Sequence, residues 1–288
     1  MSVTRLRDLR HPAAVLCLCL AAVLARPALA QAPVREITKI AGEVYRFRNN
    51  EHYSVFAVTP EGIIATDPID AGAAAWLKAE IKTRFNTPVR YVIYSHGHAD
   101  HATGGEVFSD TATFVGHAVT RATLARDHVQ TPPPTETFAD TKTIELGGTV
   151  VELRYLGPNH GDGMIVMRFP KERILFVVDI IPVQSIGYRD FPNADFSGWL
   201  DSLKQAEAID FDILAPGHGP MGRKAHVRMH REYLEDLRDQ VTRQVKAGTS
   251  LEETKRLVNL EKYKAWGSYA DMRDLNIEGM YRIADAGR

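Results

Sequence analysis

Apolar positions along this chain switch between a period of two and a period near three and a half, and each switch marks an element. Glu43–Arg48, Tyr53–Thr59 and Gly62–Thr66 are rich in β-branched and aromatic residues. They are separated by Asn49-Asn50 and Pro60-Glu61-Gly62, which predicts a meander of three short strands. Ala73 to Phe85 puts Trp76, Leu77 and Ile81 at helical spacing, and Val89 to Tyr94 reads as a buried strand. Thr113–Gly116 and Val119–Asp127 predict a further strand and helix, whereas Thr131-Pro132-Pro133-Pro134-Thr135 can hold neither and is a surface loop. A second run of strands follows at Thr143–Leu146, Val150–Leu156, Met164–Phe169 and Ile174–Val178, with Gly147-Gly148 as a hairpin turn. Phe196 to Ile209 is an amphipathic helix, Asp212–Ala215 a short strand, and Val227 to Val245 a long helix with many charged pairs. Thr249-Ser250 ahead of Leu251-Glu252-Glu253 starts another helix, and the tail beyond Tyr263 is weakly helical.

Strands and helices followed by strands and helices again predict two similar halves, each a sheet covered on its outer face by helices. The sum is an α/β fold, a four-layer αββα sandwich with extra C-terminal helices. Periodicity alone admits a doubly wound sheet as well, so the candidate chemistry has to decide between them.

Residues 1–30 stand apart from this pattern. Arg5, Arg7 and Arg10 precede an apolar run from Ala13 to Leu24, and Ala28-Leu29-Ala30 is a small-x-small cleavage signal, which predicts a secretory signal peptide cut after Ala30. The run is too short to span a bilayer comfortably, so no membrane attachment is expected after cleavage, and a periplasmic or secreted location is. Arg5-Leu6-Arg7 is not a twin-arginine pair, which points to export of an unfolded chain. Both cysteines, Cys17 and Cys19, fall in the apolar run, so the exported chain has neither disulfide nor thiolate ligand nor cysteine nucleophile. The whole chain carries 35 basic and 36 acidic residues; removing Arg5, Arg7, Arg10, Arg26 and Asp8 with the signal leaves 31 against 35. That mild acidity argues against a nucleic-acid partner and leaves a small-molecule substrate as the expected one.

The chemistry concentrates directly after the Val89–Tyr94 strand, in Ser95-His96-Gly97-His98-Ala99-Asp100-His101. A His-x-His-x-Asp-His run arises by chance in roughly one chain in a thousand of this length and histidine content. Imidazole and carboxylate are the donors zinc takes where no thiolate is offered, and a tight loop can aim several of them inward. Three more candidates occupy strand ends or turns. His160 lies in the glycine-rich turn Gly157–Gly163, Asp179 closes the apolar strand Ile174–Val178, and His218 sits in Ala215-Pro216-Gly217-His218-Gly219. A carboxylate at the end of a buried strand is costly unless it is paired or bound to metal. Asp67, at the end of the third strand, can orient a ligand or form an Asx turn before Pro68. His117 is read as structural, and His128, His226 and His230 as solvated. His52, in the first hairpin loop, is a candidate substrate contact.

From about Glu43 to Met221 the chain resembles the metallo-β-lactamase-fold hydrolase superfamily. The superfamily's five recurring motifs are matched in order by Asp67, by His96-x-His98-x-Asp100-His101, by His160, by Asp179 and by His218. With the signal peptide expected at 1–30, the resemblance implies the superfamily domain at 31–223, with a C-terminal helical extension at 224–288 packed on it. It implies two zinc ions, one held by His96, His98 and His160, the other by Asp100, His101 and His218, with Asp179 between them. A hydroxide bridging the ions then attacks an ester, thioester, lactone or amide carbonyl, with Asp100 both holding zinc and orienting the hydroxide.

Asp179 stands where β-lactamases of this fold often have Cys or Ser, and no Lys follows it. This places the chain nearer the glyoxalase II-like general hydrolases, with β-lactam hydrolysis as an alternative. A sulfur dioxygenase using one Fe2+ is a second alternative. Flavodiiron proteins carry Glu at the position of His98 and are set aside. The wall of the substrate pocket is expected from Gln184 to Phe191, with Ser185, Tyr188 and Arg189 as its polar candidates.

Overall fold

Strand by strand, alternate side chains are committed to two different cores, and this decides how the layers stack. The computed structural model describes residues 32–287, so the expected export signal and both cysteines lie outside the described residues. The chain begins with β1 (Arg35–Ala41), β2 (Val44–Asn49), β3 (His52–Thr59) and β4 (Gly62–Thr66), an antiparallel meander. Helix α1 (Ala71–Phe85) then crosses to β5 (Val89–Ile93), which runs parallel to β4. After the one-turn helix α2 (Ala99–Ala102), β6 (Thr113–His117) joins in parallel. Helix α3 (Ala118–Arg126) leads to β7 (Glu136–Phe138), completing a seven-stranded sheet in sequence order.

The second sheet repeats the device. Strands β8 (Thr141–Leu146), β9 (Thr149–Tyr155), β10 (Ile165–Phe169) and β11 (Ile174–Val177) are antiparallel. Helix α4 (Phe196–Ala208) crosses to β12 (Ile213–Pro216), parallel to β11, and the short β13 (Gly222–Arg223) ends the sheet. Three helices follow: α5 (Lys224–Lys246), α6 (Leu251–Leu257) and α7 (Tyr269–Ala286).

In β3, Val55 and Ala57 face the second sheet while Phe56 faces α1. In β11, Ile174 and Phe176 face the first sheet while Leu175 and Val177 face the helices. One core therefore lies between the sheets. A second lies under α1 and α3, a third under α4, α5 and α7, and the αββα sandwich follows. Each fully buried side chain of this kind contributes about 1.5–3 kcal/mol. Helix α5 turns Val227, Leu234, Leu237, Val241 and Val245 to the third core, and Arg231 on it reaches both Glu207 of α4 (2.8 Å) and Glu235 (2.8 Å).

Three readings of the sequence differ from this architecture. Strand β1 was not expected; its side chains are half-buried or exposed and its charges mask the alternation. The tail beyond Tyr263 is not weakly helical but carries the eighteen-residue α7, which packs Ile277 and Met280 into the third core. His230 is not solvated: it is fully buried on the apolar stripe of α5. His128 is exposed and His226 partly so, and His117 is buried with Nε2 2.6 Å from the Ala139 carbonyl. Among the described residues no helix is long and apolar enough to cross a membrane.

Candidate metal centre

All the candidate ligands lie where strands end or where turns join them. Parallel pairing of β4 and β5 puts Thr66 beside Ile93, so Asp67 sits beside the loop that follows β5. Its Oδ1 accepts the Ser95 N–H at 2.7 Å, fixing that loop's first turn. Gly97 leaves room for α3: a Cβ there would lie 2.7 Å from Thr123 Cγ2, where that helix closes on the loop. His98 immediately precedes α2, and Asp100 and His101 are carried on it.

His160 comes from the turn between β9 and β10. Asp179 follows β11 in a left-handed conformation (φ +57°), a position that costs a non-glycine residue about 1 kcal/mol or more and points to a side chain held by its surroundings. His218 lies in the turn after β12, and His52 at the start of β3 comes to meet it. Tyr53 N–H donates to the Gly217 carbonyl (2.9 Å), and His52 and His218 form an isolated antiparallel bridge. Arg46 of β2 supports this junction, stacking over Tyr53 at 3.6 Å and donating to the carbonyls of Pro216 (2.9 Å) and Gly219 (2.7 Å).

The structure brings all seven predicted residues together, in two groups, and adds His52 as an eighth. Donor atoms of His96, His98, His160 and Asp179 lie within 4.8 Å of one another, and so do those of His52, Asp100, His101 and His218. Asp179 faces both: Oδ2 is 3.3 Å from His96 Nε2 and 3.6 Å from His160 Nε2, while Oδ1 is 3.1 Å from His218 Nε2 and 3.5 Å from His101 Nε2.

Whether a cation fits can be judged from the lone pairs. His218 Nδ1 lies 2.9 Å from the Glu51 carbonyl, which can only accept, so the proton is on Nδ1 and the Nε2 lone pair faces inward. His101 Nδ1 faces the carboxylate of Asp67 across 3.8 Å, and its Nε2 points to the centre. The two Nε2 atoms stand 3.0 Å apart and point at one another, so they share either one proton or one metal ion. His96 behaves alike, with Nδ1 2.9 Å from Ser95 Oγ and a buried Nε2 that has no hydrogen bond. Imidazole and carboxylate donors so placed fit divalent metal ions.

Electrostatics agrees. Burial pushes His96 down to about 3 and lowers His160, keeping both neutral as ligands must be. Burial also works against charge on His101, but Asp179, Asp67 and Asp100 overcome it and raise the group to about 9, so a proton occupies the place of the cation when none is bound. Burial would raise Asp179, yet His101, His218 and His96 hold it well below the usual carboxylate range. Asp100 is likewise lowered, against its burial, by His52 and His101. Burial pushes Asp67 up to about 6.

Comparison with known proteins assigns the family. The family model described as the metallo-beta-lactamase superfamily matches residues 69–218, just over half of the chain. The protein belongs to the metallo-beta-lactamase superfamily. It is 27% identical over 197 residues to the 2,4-dinitroanisole O-demethylase subunit alpha of Nocardioides sp. (strain JS1661), covering 67% of this chain but only 58% of that one. It is 27% identical over 188 residues to metallo-beta-lactamase IND-1 of Chryseobacterium indologenes, covering 63% and 77%. A solved metallo-beta-lactamase from Pontibacter korlensis superposes with a TM-score of 0.63 at 22% identity, over 70% of this chain and 99% of that one, which shows the shared fold.

The span matched to the superfamily holds His96 through His218 but neither Asp67 nor His52, and it stops before the C-terminal helices. Those helices nevertheless reach the centre. A cavity of about 410 Å³ has His52, His160, Asp179 and His218 at its base, and Ser268 and Met272 from the start of α7 in its wall. Ser185 and Tyr188 line it as expected from the sequence, whereas Arg189 does not and is exposed. Trp199 of α4 stands edge-on to His160 at 5.5 Å and forms part of the same wall. No motif marks Trp199 or Met272; they are ordinary helix residues placed there by packing.

Proposed function

We propose that the protein is a binuclear zinc hydrolase that cleaves an ester, thioester, lactone or amide carbonyl in a small molecule. The observation that carries this reading is Asp179, one carboxylate offering a separate oxygen to each of two imidazole groups. In it, His96, His98 and His160 hold one ion, Asp100, His101 and His218 hold the other, and Asp179 joins them. When bound, the ions supply an acidified water and polarise a carbonyl oxygen. The chain's own part is orientation and proton handling. Asp67 sets the His101 ring, Ser95 Oγ sets the His96 ring, and the Glu51 carbonyl sets the His218 ring. Asp100 Oδ2, 3.3 Å from His52 Nε2 and 3.7 Å from His101 Nε2, would orient the attacking water, and His52 fixes the position of that carboxylate.

The alternatives fit less well. A β-lactam carboxylate would find no lysine or arginine in the cavity wall. A single iron at the His96 group would leave the second donor set, His52, Asp100, His101 and His218, without a use. We further propose that the chain folds and takes up metal after export, as the basic and apolar pattern of residues 1–30 suggests.

Metal analysis of protein purified without chelator, run beside a panel of a thioester, a lactone, an aryl ester and a chromogenic cephalosporin, tests the reading. Two zinc ions per chain with turnover of the esters or thioester is expected. One iron per chain, no hydrolysis, and oxygen uptake with a persulfide would overturn it.

A further inference from the structure

The cavity beside the centre is chemically lopsided. Its base carries the imidazoles and Asp179, but the wall is apolar: Ile181, Ile186, Trp199, Pro216 and Met272, with Tyr188 at the rim, 64% exposed. No lysine or arginine lines it among the described residues. A second, polar groove on the far side of His160 does hold a guanidinium, Arg126, but that group is already spent on Asp127 (2.8 and 2.9 Å) and Asp162 (3.2 Å). Neither approach to the centre therefore offers an unpaired cation to a substrate anion.

The wall is also built in advance. Gln184, Arg189, Phe191 and Asn193 all adopt left-handed backbone, which non-glycine residues hold only when their surroundings over-determine it. The C-terminal segment supplies that constraint. Ser185 Oγ and Ile186 N–H donate to the Gly267 carbonyl (2.9 and 3.1 Å), and Gly267 N–H donates to the Gln184 carbonyl (2.8 Å). Asn276 of α7 donates to the carbonyls of Gly187 (2.8 Å) and Arg189 (2.6 Å), and Arg282 pairs with Asp190 (2.8 Å). A pocket of this size, apolar and pre-formed, selects a ligand by shape and by the absence of charge.

We infer that the cavity receives an uncharged, apolar part of the substrate, an aryl or branched alkyl group beside the scissile bond, and that Ile186 and Met272 set this preference. The inference rests on the hydrolase reading for its reaction but not for its binding. The test uses the zinc-loaded protein and matched aryl esters carrying para tert-butyl, trimethylammonium or sulfonate groups, on the leaving-group side in one series and on the acyl side in the other. In at least one series, kcat/KM for the tert-butyl ester should exceed both charged isosteres by about 10- to 100-fold, because an unpaired charge cannot be buried against this wall. Met272→Lys should cut the tert-butyl to sulfonate ratio at least tenfold and Met272→Leu should leave it within about twofold; Tyr188→Lys, at the exposed rim, is the second variant should Met272→Lys not fold. In parallel, binding of the corresponding phenols is followed by tryptophan fluorescence, with Trp199→Phe to assign the signal. Equal or preferred use of a charged ester in both series, or ratios unmoved by both lysine variants, would overturn the inference. If no ester is turned over, the hydrolase reading is judged by the thioester and lactone panel, and the phenol titrations decide here: selective tert-butyl binding upholds the inference, and equal binding overturns it.

Discussion

Replacing His230 with leucine is expected to stabilise the protein at neutral pH and to remove part of its sensitivity to acid. His230 is fully buried in α5, its ring 6.2 Å from that of Trp199 and 6.1 Å from that of Tyr233, and neither ring nitrogen has a hydrogen-bond partner in the protein. Burial pushes it down from 6.5 to about 3. A base lowered on folding takes up its proton first in the unfolded chain. The stability tied to its neutral form is therefore complete above about pH 6.5 and drains away as pH falls toward 3. The slope is about 1.4 kcal/mol per pH unit, so about 2 kcal/mol is lost between pH 7 and pH 5. Leucine, close in volume, removes that slope and also the roughly 1–3 kcal/mol cost of desolvating a polar ring without partners. Urea unfolding of both chains at pH 7 and pH 5, with chelator present throughout so that metal release adds nothing, gives the double difference. The gap in favour of His230→Leu should widen by about 2 kcal/mol on acidification; an unchanged gap would refute the reasoning.

Three further outcomes are expected. Asp100→Asn should retain most of the bound metal while losing nearly all turnover, measured by metal content beside a progress curve; equal loss of both would limit Asp100 to ligation. His52→Ala frees the Asp100 carboxylate and should weaken the second metal about tenfold or more, with the first unaffected, as read by competitive zinc titration. Asp67→Ala strands the Ser95 N–H and the His101 ring in the interior and should cost about 2–4 kcal/mol of stability in urea at pH 7, with a loss under 0.5 kcal/mol counting against an orienting role.

Much of the centre was legible because its donors are announced locally. His96, His98, Asp100 and His101 share one short loop, and Asp179 and His218 each end an apolar strand, so sequence adjacency and strand-end position did the work. His52 carries no such announcement. What puts it beside Asp100 is the β2–β3 register together with the Tyr53–Gly217 backbone bond, and neither exists before the two sheets pack. The two similar halves could be read from alternation, but β1 could not, since an edge strand with exposed charges loses its apolar period. His230 shows a signal overlooked: it falls in step with Val227, Leu234, Leu237 and Val241, one helical stripe that reads as core whatever the residue type. The extent of α7 depends on packing against α5 and on the loop at 184–191, contacts made by residues far away in sequence.

The donors stretch from His52 to His218 and are interleaved between two sheets, so no fragment of the chain contains a finished centre. A ribosome that has released only the first sheet has exposed His96, His98, Asp100 and His101, yet each of their would-be ions still lacks partners from β11 and β12. Metal binding is thus coupled to the packing of the two sheets against one another, since each donor group draws on both.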